Sequence, residues 1–175
     1  MARAAEKSIS QIHVNSGTHA AVFGASSFVE DYPASNLDDN SNNSYWKASI
    51  TDKVFPIEIA IAYNMPIRVY SYMMAGASGQ LLAAPTFWRV IGKRAEQGRG
   101  DNEVLLDERI VRDLTLSSKP NHFCIYPATH GTKIEKIKLV IFSAETSDDK
   151  YNVALRRFFM TTHEEEEQSL GKCID

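Results

Sequence analysis

Short apolar runs recur along this chain at close intervals, separated by turn-forming residues, and few segments carry the i, i+3, i+4 spacing of an amphipathic helix. That pattern restricts the fold to strands. The candidates are Ser8 to Val14, Ala20 to Phe23, Val54 to Tyr63, Ile67 to Met74, Thr86 to Lys93, Asn121 to Tyr126, Lys136 to Ser143 and Val153 to Thr161. In Ile57 to Ala62 and Lys136 to Ile141, β-branched residues suited to a pleated, half-buried surface dominate. The polar stretch Ser35 to Ser44, Ala75 to Gly79, Ala95 to Asn102 and Ala128 to Thr132 read as loops. Pro33 leaves room for at most one short helical turn between Ser26 and Asn36. So many strands need two packed sheet faces to close a core, which predicts an all-β, two-sheet antiparallel β-sandwich or jelly roll.

Composition removes several functions. The 175 residues are 43% hydrophobic and 23% charged, enough to bury a core without a metal or disulfide. Nineteen basic against 22 acidic residues give a net charge of -3, so nucleic acid is not an expected partner. No apolar stretch suits a secretion signal or a membrane span, so the expectation is a chain cytoplasmic at synthesis or virion-associated. Cys124 lies in an apolar run and Cys173 in a polar tail, a placement that does not suggest a disulfide framework. The predicted organisation is one domain over 1–162 followed by an acidic, solvated tail over 163–175, with Glu164 to Glu167 as its charge run.

The segment from Pro33 to Trp46, PASNLDDNSNNSYW, resembles the signature of discoidin domains, also called coagulation factor 5/8 type C domains, of the galactose-binding-like superfamily. Aligned on Trp46, the family Asp falls on Asp39, its Gly on Asn40 and its hydroxyl residue on Ser44. Asn is a frequent non-glycine visitor to positive φ, so the change at position 40 is tolerable. Phe55 to Ile59, Pro85 to Gly92 and Ile137 to Ile141 resemble further family strands, and Leu105 to Arg109 resembles the family's Leu-Asp stretch, all in the expected order. The resemblance spans about residues 30 to 160 and implies a discoidin-like sandwich in which Trp46 and Trp88 are core residues. It also implies a recognition role, although this superfamily hosts glycan, lipid and protein binders alike.

Many carbohydrate-binding relatives hold a structural calcium at this loop, which makes Asn36, Asp39 and Ser44 the candidate ligands. The last strand reads Val153-Ala154-Leu155-Arg156-Arg157, with Leu or Arg where the relatives place an acidic ligand. Asx turns account for the loop equally well, so the expectation is no required cofactor, with calcium as the alternative. A ligand site in this fold usually lies in loops at one end of the sandwich. The residues suited to a sugar or protein there are Tyr32, Tyr45, His122, Tyr126 and His130, with Met73, Met74 and Tyr151 beside them. Arg99-Gly100-Asp101 reads as an ordinary polar loop, and His13, His19, His122, His130 and His163 have no metal-binding spacing.

No nucleophile elbow, phosphate-binding glycine loop or Cys-x-x-Cys pair is present, and the chain is not expected to be an enzyme. The leading expectation is a non-catalytic module that binds a glycan or a cell-surface ligand through its loops. The partner would be a glycan or protein, and a weak single site requires a homo-oligomer or a place in a larger assembly. The alternative is a structural or assembly protein, such as a virion decoration or fibre component or an intracellular complex subunit.

Overall fold

The computed structural model describes residues 11–14, 20–38, 41, 43–48, 55–95, 102–111, 120–146, 150–162 and 172–175. Its strands are β1 (Gln11–Val14), β2 (Ala20–Ala25), β3 (Trp46–Lys47), β4 (Ile57–Val69), β5 (Ser71–Gly76), β6 (Leu82–Ala83), β7 (Pro85–Arg94), β8 (Glu103–Ile110), β9 (Asn121–Cys124), β10 (Thr132–Ala144) and β11 (Asn152–Thr161). One sheet runs β1-β2-β4-β10-β7-β8 and the other β3-β11-β5-β9, with β6 pairing β11 in parallel. All other pairings between strands are antiparallel. The sandwich follows from alternation: Ile57, Ile59 and Ile61 of β4 meet Ile137, Leu139 and Ile141 of β10 on the inner face, all buried. Gly92 of β7 lies at a close approach, since a Cβ there would sit 2.6 Å from the Cδ1 end of the Ile134 side chain, which would have to shift.

Both tryptophans are core. Trp46 and Trp88 are fully buried, and each indole N–H finds an acceptor, Trp46 Nε1 donating to the Ser27 carbonyl at 3.1 Å and Trp88 Nε1 to the Tyr72 hydroxyl at 3.0 Å. Tyr72 in turn donates to Asp107 Oδ2 at 2.6 Å, and Arg109 Nε donates to the same oxygen at 2.7 Å. Burial first, then the adjacent Asp107 carboxylate, pushes the Tyr72 phenol well above its usual range, so it remains a donor. A folded-state pKa raised above the unfolded value of about 10 means that this stabilisation is present below that pH and is lost as pH rises through the folded value.

Four readings of the sequence change. Ile67 to Met74 is not one strand: the chain turns a corner at Tyr70, leaving the first sheet at Val69 and entering the second at Ser71. Ile67 and Val69 before the corner and Tyr72, Met73 and Met74 after it are all buried, so the sequence reads as one run across it. Glu103–Ile110 is a strand that apolar spacing does not announce, its alternation broken by a register shift against β7 that buries both Leu106 and Asp107. Cys124 and Cys173 are bridged, with Cα atoms 5.1 Å apart. The polar chain end is not simply solvated: Ile174 pairs in parallel with Phe123, Cys124 N donating to its carbonyl at 2.9 Å and its N–H to the His122 carbonyl at 2.8 Å, which sets the two cysteines side by side. Residues 163–171, including the glutamate run, and Arg99 to Asp101 lie outside the described residues, as does Ser8 to Ser10 of the first candidate strand.

Trp88→Ala should lower stability by about 3 to 5 kcal/mol, because it empties a large buried volume and removes a donor to Tyr72. Urea denaturation followed by tyrosine fluorescence checks this, and an unchanged midpoint would refute the core assignment.

Candidate functional site

The β2–β3 connection leaves the sheet at the end of the sandwich where β4, β7 and β11 begin and β5 and β10 finish. Ser26 N–H bonds the Glu58 carbonyl at 2.8 Å, Tyr32 N–H closes a turn onto Val29, and Lys47 N–H returns to the Tyr32 carbonyl at 3.3 Å. A 3-10 turn over Ala34–Asp38, the single short turn that Pro33 permits, sinks Leu37 into the core. These anchors place Tyr32 beside Tyr45. The rings stack with centroids 4.7 Å apart and 26° between planes, and the Lys47 ammonium sits 4.2 Å from the Tyr32 centroid. Partial burial first, then the hydrogen bond and charge of Tyr32, push the Tyr45 phenol above its ordinary value.

Asn36 ties the platform to the turn, its amide donating to the Tyr45 carbonyl at 3.1 Å. On the neighbouring strand, Arg157 Nη2 donates to the Ser41 carbonyl at 3.4 Å. Asp39 lies outside the described residues, while Ser44 is partly exposed beside Tyr45. The described donors are a poor match to a calcium site: the nearest strand supplies a guanidinium instead of a carboxylate, and a carbonyl that accepts from it faces a fixed positive charge. Among the described residues, no cluster of three or more His, Cys, Asp or Glu is placed to hold a metal ion.

The remaining candidates are not in this place. Tyr126 and His130 lie at the opposite end, where Gly131 N–H bonds the Val69 carbonyl at 2.8 Å and the His130 ring meets Tyr70 edge-on at 6.4 Å. His122 sits within β9 instead of a loop. It is buried, with Nε2 2.6 Å from Ser71 Oγ, and Thr161 Oγ1 also hydrogen-bonds Ser71. A serine–histidine pair invites a catalytic reading, but Ser71 is fully buried and its hydroxyl bonds lie within the sheet, so no substrate carbonyl reaches it. Met73 and Met74 are buried strand residues, and Tyr151 is partly exposed just before β11. Sequence reasoning missed Lys47, although its position beside Trp46 in a strand predicts an outward side chain.

No protein-family model and no curated protein matches this sequence. Solved structures do match in fold. The family 32 carbohydrate-binding module of Clostridium perfringens NanJ, in complex with galactose, superposes with a TM-score of 0.64 at 13% identity, over 80% of this chain and 92% of that one. A second Clostridium perfringens protein, CpGH89CBM32-5 in complex with GalNAc-β-1,3-galactose, gives 0.64 at 14% identity, over 80% and 94%. Chitosan-binding module 2 of a Paenibacillus sp. IK-5 chitosanase/glucanase, in complex with chitotriose, gives 0.60 at 12%, over 79% and 93%. The fold is thereby that of these modules: a two-sheet antiparallel β-sandwich of discoidin-like architecture.

Asn36→Ala removes the amide that ties the turn to Tyr45, and should cost about 1 kcal/mol of stability in chemical denaturation while leaving the fold intact by circular dichroism.

Proposed function

We propose that this chain is a non-catalytic glycan-binding module whose ligand site is the Tyr32–Tyr45 platform. The observation that carries this reading is a pair of stacked, partly exposed aromatic rings, set by the β2–β3 connection at one end of the sandwich and edged by an amide and a cation. Flat rings match the C–H-rich faces of sugars, and a few polar groups beside them set orientation. The superposable modules bound to galactose, GalNAc-β-1,3-galactose and chitotriose support the same reading. A rival assembly role would favour a flat apolar face. The outer face of the six-stranded sheet instead carries Arg89–Glu108, Lys93–Glu135 and Lys138–Glu103 ion pairs, and its Phe87–Phe142 stack lies under Arg89.

In this reading the site works without calcium, because Arg157 supplies a positive charge to the Ser41 carbonyl from within the chain. One shallow site of this kind binds with a dissociation constant of about 0.1 to 1 mM, so physiological adhesion relies on several copies in an oligomer or on a larger assembly.

A glycan array read with multivalently displayed protein, then titration calorimetry on the strongest hit, tests the proposal. Binding should persist in a chelator, and Tyr45→Ala should weaken it at least about tenfold with the melting transition retained. Failure of every glycan to bind would overturn the glycan reading, and loss of binding in the chelator would overturn the metal-free one.

A further inference from the structure

The terminal strap Lys172 to Asp175 lies against β9, yet its non-covalent hold is slight. Ile174 N–H donates to the His122 carbonyl at 2.8 Å and Cys124 N–H to the Ile174 carbonyl at 2.9 Å, with Arg109 Nη2 on that same carbonyl at 2.9 Å. Three such bonds at a surface do not offset the conformational entropy lost by ordering the strap. Burial adds little, since Ile174 is 40% exposed, Lys172 and Asp175 are exposed, and among the described residues none beyond Met160 belongs to the buried apolar cluster. The Cys124–Cys173 bridge is therefore what keeps the strap in place.

Both cysteines are partly exposed, because Phe123 turns into the core against Tyr72 and Cys124 turns away from it. An incoming thiolate has the access that exchange requires. The sandwich, for its part, does not depend on the strap. Without it, Asp107 Oδ2 keeps both Tyr72 and Arg109 Nε, and Arg109 Nη2 keeps the Cys124 carbonyl at 3.0 Å. The loss is confined to one edge of the second sheet, where the Cys124 N–H and the His122 carbonyl give up their partner. The tyrosine platform is untouched, since Lys47 beside it belongs to β3, and β3 and β9 are opposite edges of that sheet.

We propose that Cys124 and Cys173 form a thiol-exchange site that fastens the chain end over the edge of β9 and frees it on reduction, with the sandwich folded in both states. The reductant is a dithiol. Its thiolate attacks one sulfur, the Cys124–Cys173 bond breaks, and its second thiol resolves the mixed disulfide, so the reagent ends as a disulfide and the protein as two thiols. Two electrons and two protons pass to the protein. Oxidised glutathione reverses the step and leaves as two molecules of the thiol.

The test takes the full chain through one redox cycle, with dithiothreitol as reductant and oxidised glutathione as oxidant. The sequence has two cysteines and both are bridged, so a thiol count reads the bond directly. Reduction in native buffer should raise amide exchange at Cys124 and Ile174 at least about tenfold by NMR, leave β4 and β10 protected, and be undone by the oxidant. Cys124→Ser/Cys173→Ser should exchange fast at position 124 and Ile174 from the start and ignore the reductant. Thiols that appear only in denaturant, or exchange unchanged by reduction, would overturn the proposal. So would lost protection across β4 and β10, a double variant that fails to fold, or reoxidation that yields covalent dimers in place of the internal bridge.

Discussion

A buried carboxylate joins the two sheets. Asp107 enters the core from β8, and an isolated charge there would cost several kcal/mol. Tyr72, reaching across from the other sheet, and Arg109, two residues along β8, compensate it, and Trp88 completes the chain by donating to Tyr72. Arg109 does more than neutralise: the same guanidinium donates to the carbonyls of Cys124 at 3.0 Å and Ile174 at 2.9 Å. One connected set of polar contacts thus runs from the centre of the sandwich to the end of the chain. It specifies how the sheets face each other with a directionality that hydrophobic contact alone lacks. Aromatic packing closes around it, Phe123 stacking on Tyr72 at 5.2 Å and meeting Trp88 edge-on at 5.6 Å.

The disulfide has its place in that arrangement. The chain end is held to β9 by backbone bonds, by Arg109 and by the Cys124–Cys173 bridge. Neither cysteine's neighbourhood in the sequence signals this, because pairing depends on where a polar terminal segment returns in space. Residue type and spacing therefore led away from the bridge. The same limit explains β8: Glu103 to Ile110 lacks clean alternation because its register shift buries an aspartate as well as a leucine, so its strand character shows only once β7 is beside it.

Much else was legible. Apolar alternation located β4, β7, β10 and β11 and with them the two-sheet architecture, since those strands carry most of the buried isoleucine, leucine and valine. The Pro33 to Trp46 motif located the connection that holds the platform, because Pro, Asn and the buried Leu37 and Trp46 constrain its turn locally. Choosing among the candidate tyrosines and histidines required three dimensions. Tyr32 and Tyr45 are thirteen positions apart yet stacked, while Tyr126 and His130 stand at the far end. Side-chain type announces what a residue can contact, and topology alone decides which end of the sandwich it reaches.

The division between core and loop explains how two chains only 13% identical can share a fold. Stability resides in the inner faces and the Asp107 contacts, and the platform shares none of those residues. Its local order comes from Asn36 on the Tyr45 carbonyl and Arg157 on the Ser41 carbonyl, bonds made by side chains on a turn and on the outward side of β11. A metal ion at such a loop would tie its order to solution conditions. In the proposed metal-free reading that role falls to Arg157, whose guanidinium is carried on a strand and always charged. The loop end can therefore carry its own set of side chains, here the stacked Tyr32 and Tyr45 rings with the Lys47 ammonium over Tyr32.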